Sequence, residues 1–182
     1  MLNVDYKTHK SLLFVVLLIA ISIVSLFIVR QFAYNAVEHT LLQSARVMAL
    51  SVNASRSHYS STVVNKLGAH PDIAVKAQYQ SQDLTIPNPA TFAIELAAAI
   101  SAKEDGFSVR MFSDYPFPNR LSHGGAKSEF EKQSLSHFRN VQGAGGILEP
   151  RFSTSIINSG MIFEYIEPIV MESSCVDCHN TL

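Results

Sequence analysis

The chain has no tryptophan, only two cysteines in 182 residues, and only 16% charged residues. Two cysteines are too few for a disulfide-dense secreted scaffold, which needs four or more. A net charge of −1, with 14 basic against 15 acidic side chains, supplies no general field for holding a polyanion and argues against nucleic acid as a partner. Glycine (8) and proline (7) are sparse, and no long run rich in glycine, proline or charge marks extensive disorder. At 20.1 kDa the chain suffices for one domain and an appendage, not for two full domains. Hydrolase and nucleotide signatures are missing as well: there is no G-x-S-x-G, Walker-type loop or H-E-x-x-H, so no enzyme is expected within this chain.

What the chain does have is a concentrated apolar run. Residues 11–29 read SLLFVVLLIAISIVSLFIV, fifteen of nineteen being Leu, Ile, Val or Phe. As a helix this run is about 28 Å long, close to the hydrocarbon thickness of a bilayer, and its insertion is favoured by several kcal/mol. A cleaved signal peptide would be shorter and would end in a small-x-small site; Arg30-Gln31-Phe32-Ala33-Tyr34-Asn35-Ala36 offers none. The expectation is an uncleaved single-pass anchor. Lys7 and Lys10 precede the span and Arg30 follows it, which favours a cytoplasmic N-terminus by one charge.

Beyond the anchor, residues 31–67 contain neither Pro nor Gly. Leu41, Ala45, Met48, Val52, Tyr59 and Val63 recur at helical spacing, which predicts a long amphipathic helix ending near Gly68 and Pro71. Such a helix serves packing within one domain or a homodimer formed through residues 31–67. A short helix is expected over 71–80. Asn88-Pro89 reads as an N-cap with proline at the first helical position, opening a helix over 89–103. Residues 107–111 alternate like a half-buried strand, 114–119 form a loop, and 126–139 form a further helix. Residues 148–157 and 160–171 read as strands joined at Asn158-Ser159-Gly160, a hairpin turn. The fold class expected is α+β, helices first and antiparallel strands after.

One motif carries chemistry: Cys175-Val176-Asp177-Cys178-His179. C-x-x-C-H is the attachment signature for c-type haem. Two thiols at this spacing add to the two vinyl groups of one haem, and the adjacent imidazole becomes the proximal iron ligand. A thiol–disulfide redox site of similar sequence would require much of its sheet after the motif, and only four residues follow Cys178. Zinc would need a second ligand pair, and neither a second C-x-x-C nor an H-x₃₋₅-H occurs. A structural disulfide between the two would close a very small, strained loop. Cys175 and Cys178 are therefore the expected covalent haem anchors, and His179 the iron ligand. Since such haems are attached outside the bacterial inner membrane, the motif and the anchor agree. A distal ligand would have to be Met or His. Met48 lies on the apolar stripe, His58 about 80° around the same helix, and His70 beside Pro71. All three are distal candidates, and the expectation is a distal position weakly held or empty in at least one redox state. His39, His123 and His137 are expected as surface or packing residues.

The body also resembles a known family. The segments Ile86-Pro87-Asn88-Pro89-Ala90-Thr91, Gly106-Phe107-Ser108-Val109-Arg110, Ser113-Asp114-Tyr115-Pro116-Phe117-Pro118-Asn119-Arg120, Glu129-Phe130-Glu131 and Pro168-Ile169-Val170-Met171 are similar, in that order, to the PAS-like, c-type-haem-binding periplasmic sensor domains of bacterial membrane receptors. The resemblance covers residues 40–179. It implies a PAS-like domain with an antiparallel sheet and flanking helices, and in many members a cytoplasmic histidine kinase, nucleotide cyclase or diguanylate cyclase as output. Members continue past the haem motif into a further strand, whereas this chain stops three residues after His179. A truncated sensor segment, or a minimal protein with its output elsewhere, would account for that.

The organisation expected is a cytoplasmic tail (1–10), a transmembrane anchor (11–29), an amphipathic helix (30–70) and a PAS-like haem c domain (71–182) in the periplasm, held at the bacterial inner membrane. Its expected function is sensing redox state or a diatomic gas for signal transduction. A membrane-anchored c-type cytochrome carrying electrons is the alternative, and a chemoreceptor-like domain for a small ligand, with the motif unused, is the second.

Overall fold

The computed structural model describes residues 2–103, 105–157 and 160–170, with only the backbone described for residues 2–7 and for Ile157. The chain divides into two units, Met1–Gln43 and Ser44–Leu182. A single helix, α1 (Leu2–Tyr59), runs from one into the other.

In the first unit α1 is the only element. It is long and apolar enough to cross a membrane, and none of its most apolar window is buried. The side chains of 12–19 and 26–29 stand largely exposed, as a helix solvated by lipid requires. Ser22 Oγ donates to Leu18 O at 2.9 Å, so one of the three hydroxyls in the run is satisfied within the helix.

In the second unit the apolar spacing does what its period demands. Val52 is buried and Ala45, Met48, Tyr59 and Val63 are half-buried, while Ser44, Val47, Ser51 and Ala54 face out. A π-helical turn (Ser60–Val64) and a last α turn, α2 (Asn65–Leu67), continue the helix.

The expected short helix over 71–80 is not formed. Residues Ala74–Lys76 are a strand, β1, pairing in parallel with β2 (Thr85–Pro87), Val75 opposite Ile86. β-Branched Ile73, Val75 and Ile86 favour the extended form, and Leu84, at φ +53°, stands immediately before β2. The ladder leads directly into α3 (Pro89–Ser101). Asn88 Oδ1 accepts the Thr91 N–H at 2.8 Å and Pro89 stands at the first helical position, as expected. α3 buries Thr91, Ala93 and Ala97, small residues that let a neighbour approach closely.

Residues 107–111 do not join a sheet. The Val109 N–H is taken by Ser101 Oγ at 2.8 Å, a side-chain acceptor at the end of α3, where a neighbouring strand would otherwise have been needed. Beyond them a loop closes on itself: Ser113 N–H donates to Gly124 O at 3.0 Å, with a 3₁₀ turn at Pro118–Arg120. α4 (Glu129–Gly143) opens on Ser128 with a capping box and buries Glu131, Ser134 and Phe138 along one face. β3 (Arg151–Ile157) and β4 (Gly160–Ile166) form the expected antiparallel hairpin, Phe152 opposite Tyr165 and Thr154 opposite Phe163.

The architecture is mixed α+β with a long apolar N-terminal helix. Among the described residues, two separate two-stranded ladders stand where one antiparallel sheet was expected, and the first of them is parallel. Among the described residues the buried apolar side chains are Val52, Ala93, Ala97, Phe138 and Ile166.

Candidate functional site

The residues expected to hold haem, Cys175, Cys178 and His179, lie outside the described residues. What the structure describes is the path leading to them. β4 ends in the buried Ile166, and the chain continues through Glu167, Pro168, Ile169 and Val170. Tyr165 donates its hydroxyl to Glu167. Burial, and then that carboxylate, push the phenol well above its ordinary range, while the positive charge of Arg46 on α1 pulls the other way. The end of β4 therefore lies within electrostatic reach of α1, two residues from Met48.

The three distal candidates stand in different settings. Met48 is half-buried on the inward stripe of α1, one turn from buried Val52. His58 is exposed, and its carbonyl, not its ring, is engaged, accepting hydroxyls from Ser61 and Thr62. His70 is exposed in the turn after α2, where its Nδ1 accepts the Asp72 N–H at 3.3 Å and lies 3.8 Å from the Asp72 carboxylate. Among the described residues no three His, Cys, Asp or Glu side chains are grouped so as to hold a metal ion. Met48 is the candidate whose side chain is partly withdrawn from water.

The polar centre of the second unit is one that sequence reasoning passed over. Arg110 Nη1 donates to Glu131 Oε1 at 2.5 Å, and its Nη2 to Gly125 O at 2.5 Å; its guanidinium also lies 5.0 Å from the Phe112 ring centroid. Glu131 further accepts the backbone N–H of Lys127 and of Ser128. Burial alone would raise this carboxyl, but the two N–H donors and the guanidinium outweigh it and hold it below the usual carboxylate range. A carboxylate so fully supplied with donors stays ionised and has little to offer as a proton carrier. The cluster is a clamp: it joins residue 110, the end of the 113–127 loop and the first turn of α4. Its sequence signal was the S-x-x-E capping box at Ser128–Glu131, which names the carboxylate but not its distant arginine.

A second cluster binds α1 to the strands. Tyr59 stacks on Phe92, centroids 4.4 Å apart and planes 12° from parallel, and its hydroxyl donates to Pro87 O at 2.9 Å. Burial, then neighbouring Tyr79, push the Tyr59 phenol up. Tyr79 and Gln80 both donate to Glu95, each at 2.8 Å, and this hydrogen bond raises the Tyr79 phenol. Both phenols therefore remain neutral donors at physiological pH. An open depression of about 320 Å³ lies nearby, its rim carrying Lys76, Gln78, Gln82 and Asn119 around Phe117 and Pro118.

No curated protein and no solved structure matches this chain. A family model does, that of the Tll0287-like domain, and it runs over residues 34–182, from the middle of α1 to the last residue and across the C-x-x-C-H motif. The chain belongs to the Tll0287-like family.

Proposed function

We propose that this protein is a membrane-anchored sensor whose periplasmic, PAS-like body carries a covalently attached c-type haem and reports redox state or a diatomic gas to a partner. The observation that carries the reading is Cys175-Val176-Asp177-Cys178-His179, which contains both cysteines of the chain. Cys175 and Cys178 tether the group by thioether bonds and His179 gives its imidazole to the iron. When bound, haem supplies a one-electron couple and, where the sixth position is free, a site for a gas.

The described residues are compatible with such a group. Cys175 follows Val170 by five residues, so covalent reach keeps it within about 18 Å of that point. The β4 end sits within the field of Arg46 on α1, and the stripe there presents the Met48 thioether beside aliphatic Val52. A thioether is a suitable haem ligand, and the apolar neighbours would limit water. His58 and His70, both exposed, are weaker choices for the distal side. In this reading the apolar run of 11–29 anchors the body at the bacterial inner membrane. The output is a cytoplasmic kinase or cyclase module, and the helical segment 31–67 is the route for homodimer contact.

An electron-carrying cytochrome would use the same three residues. A carrier keeps two strong axial ligands; a sensor exchanges one or moves on reduction. A small-ligand chemoreceptor would leave the motif unused and rely on a surface such as the Lys76–Asn119 depression. The deciding experiment is an optical spectrum of the full chain made with a haem-maturation system, with and without reductant. A Soret band that survives acid–acetone extraction and shifts on reduction is expected. Its absence would leave the chemoreceptor reading.

A further inference from the structure

α1 is unbroken from Leu2 to Tyr59, and at the next residue the hydrogen-bond pattern changes. The Asn65 N–H reaches Ser60 O, five residues back, and Ser60–Val64 form a π-helical turn. Such a turn houses one residue more than the α-helix it interrupts. Neither proline nor glycine causes it. The local sequence is Ser60-Ser61-Thr62, and two of these hydroxyls bond the same carbonyl: Ser61 Oγ donates to His58 O at 3.2 Å and Thr62 Oγ1 at 2.5 Å. Side-chain donors of this kind compete with the main-chain ladder and favour a departure from it.

The residue immediately before the turn is tied to the rest of the second unit at two points. Tyr59 meets Pro87 O through its hydroxyl and Phe92 through its ring, so it is pinned to the end of β2 and the start of α3 together. Moving a π turn along a helix changes which carbonyl is skipped without changing how many bonds are made. Each residue it crosses turns by about 100° and advances about 1.5 Å. For the turn at 60–64 to move toward the N-terminus, Tyr59 must leave both partners.

We infer that the Ser60–Val64 turn is a one-residue register reserve in α1 and that Tyr59 is the latch holding it in place. Releasing Tyr59 lets the extra residue migrate into the 50–59 segment and turns the residues it crosses there, Arg56 among them. The fold thereby contains a two-position element on the helix that continues into the apolar run, and this inference does not depend on haem.

Hydrogen–deuterium exchange of the full chain in detergent micelles tests it. Tyr59→Phe keeps the ring and removes the hydroxyl; amide exchange over residues 50–65 should rise several-fold. Deleting Ser61 in that background removes the spare residue, and exchange should return to the unsubstituted level. Exchange unaltered by Tyr59→Phe overturns the latch. A rise that persists after the deletion overturns the register reserve, because it reports ordinary loosening. If circular dichroism shows that the deleted chain does not fold, Ser61→Ala with Thr62→Val takes its place. Faster exchange over the same amides from that pair alone supports the inference, and exchange equal to the unsubstituted chain overturns it.

Discussion

Ser128 and Glu131 cap one another: Ser128 Oγ accepts the Glu131 N–H at 3.1 Å while Glu131 Oε2 accepts the Ser128 N–H at 3.0 Å. The same serine hydroxyl reaches Glu164 Oε1 on β4 at 2.9 Å, so the start of α4 is also its attachment to the hairpin. Ser128→Ala removes both contacts. A loss of about 1–2 kcal/mol is expected, read as a lower urea midpoint for the full chain in detergent, with Ser128→Thr recovering most of it.

Glu131 makes stability depend on acid. Its folded pKa is lowered, so its contribution is complete above the unfolded value of about 4.3 and is lost as pH falls through the folded value. Glu131→Gln should lower stability at neutral pH and flatten the acid limb of the stability curve. An acid limb as steep in the variant as in the unsubstituted chain would assign that limb to other carboxylates.

Arg110→Ala leaves the buried Glu131 without its guanidinium partner and frees Gly125 O. A cost of about 2 kcal/mol is expected, in the range for hydrogen bonds to charged groups. Proteolysis should then appear first within residues 113–127, because the clamp closes that loop. Cleavage beginning elsewhere would show that the loop is held by other means.

Gly124 is packed rather than left-handed. A Cβ there would come within 2.7 Å of Pro116 Cβ and 2.9 Å of Arg120 O, one of these a backbone atom that cannot swing aside. Gly124→Ala should destabilise by about 1–3 kcal/mol, whereas Gly125→Ala, with nothing within 4 Å, should cost under about 0.5 kcal/mol.

On the proposed haem, His179→Ala should preserve tethering and perturb the low-spin spectrum, and Cys175→Ala with Cys178→Ala should abolish covalent retention. Carbon monoxide added to the reduced protein should shift the Soret band at modest concentration. If it shifts only after Met48→Ala, and not after His58→Ala or His70→Ala, Met48 is a firm distal ligand and the electron-carrier reading gains.

Local patterns by themselves determined a large part of this molecule. The apolar run of 11–29, the Asn88-Pro89 start of α3, the S-x-x-E start of α4 and the β3–β4 hairpin each depend on neighbours within a few residues, through period, capping and turn chemistry. The C-x-x-C-H motif is equally local. Tertiary structure decided the rest. Residues 71–80 carry mixed propensity, and pairing with Thr85–Pro87 made a strand of Ala74–Lys76 within them. Residues 107–111 alternate like a strand but have Ser101 Oγ as their acceptor, so they form no ladder. The pairing of Arg110 with Glu131, 21 residues apart, and the seating of Tyr59 on Phe92 arise from chain segments that meet only in space. Short-range periodicity holds no information about such meetings, because they depend on which surfaces remain to be buried once each local element has formed.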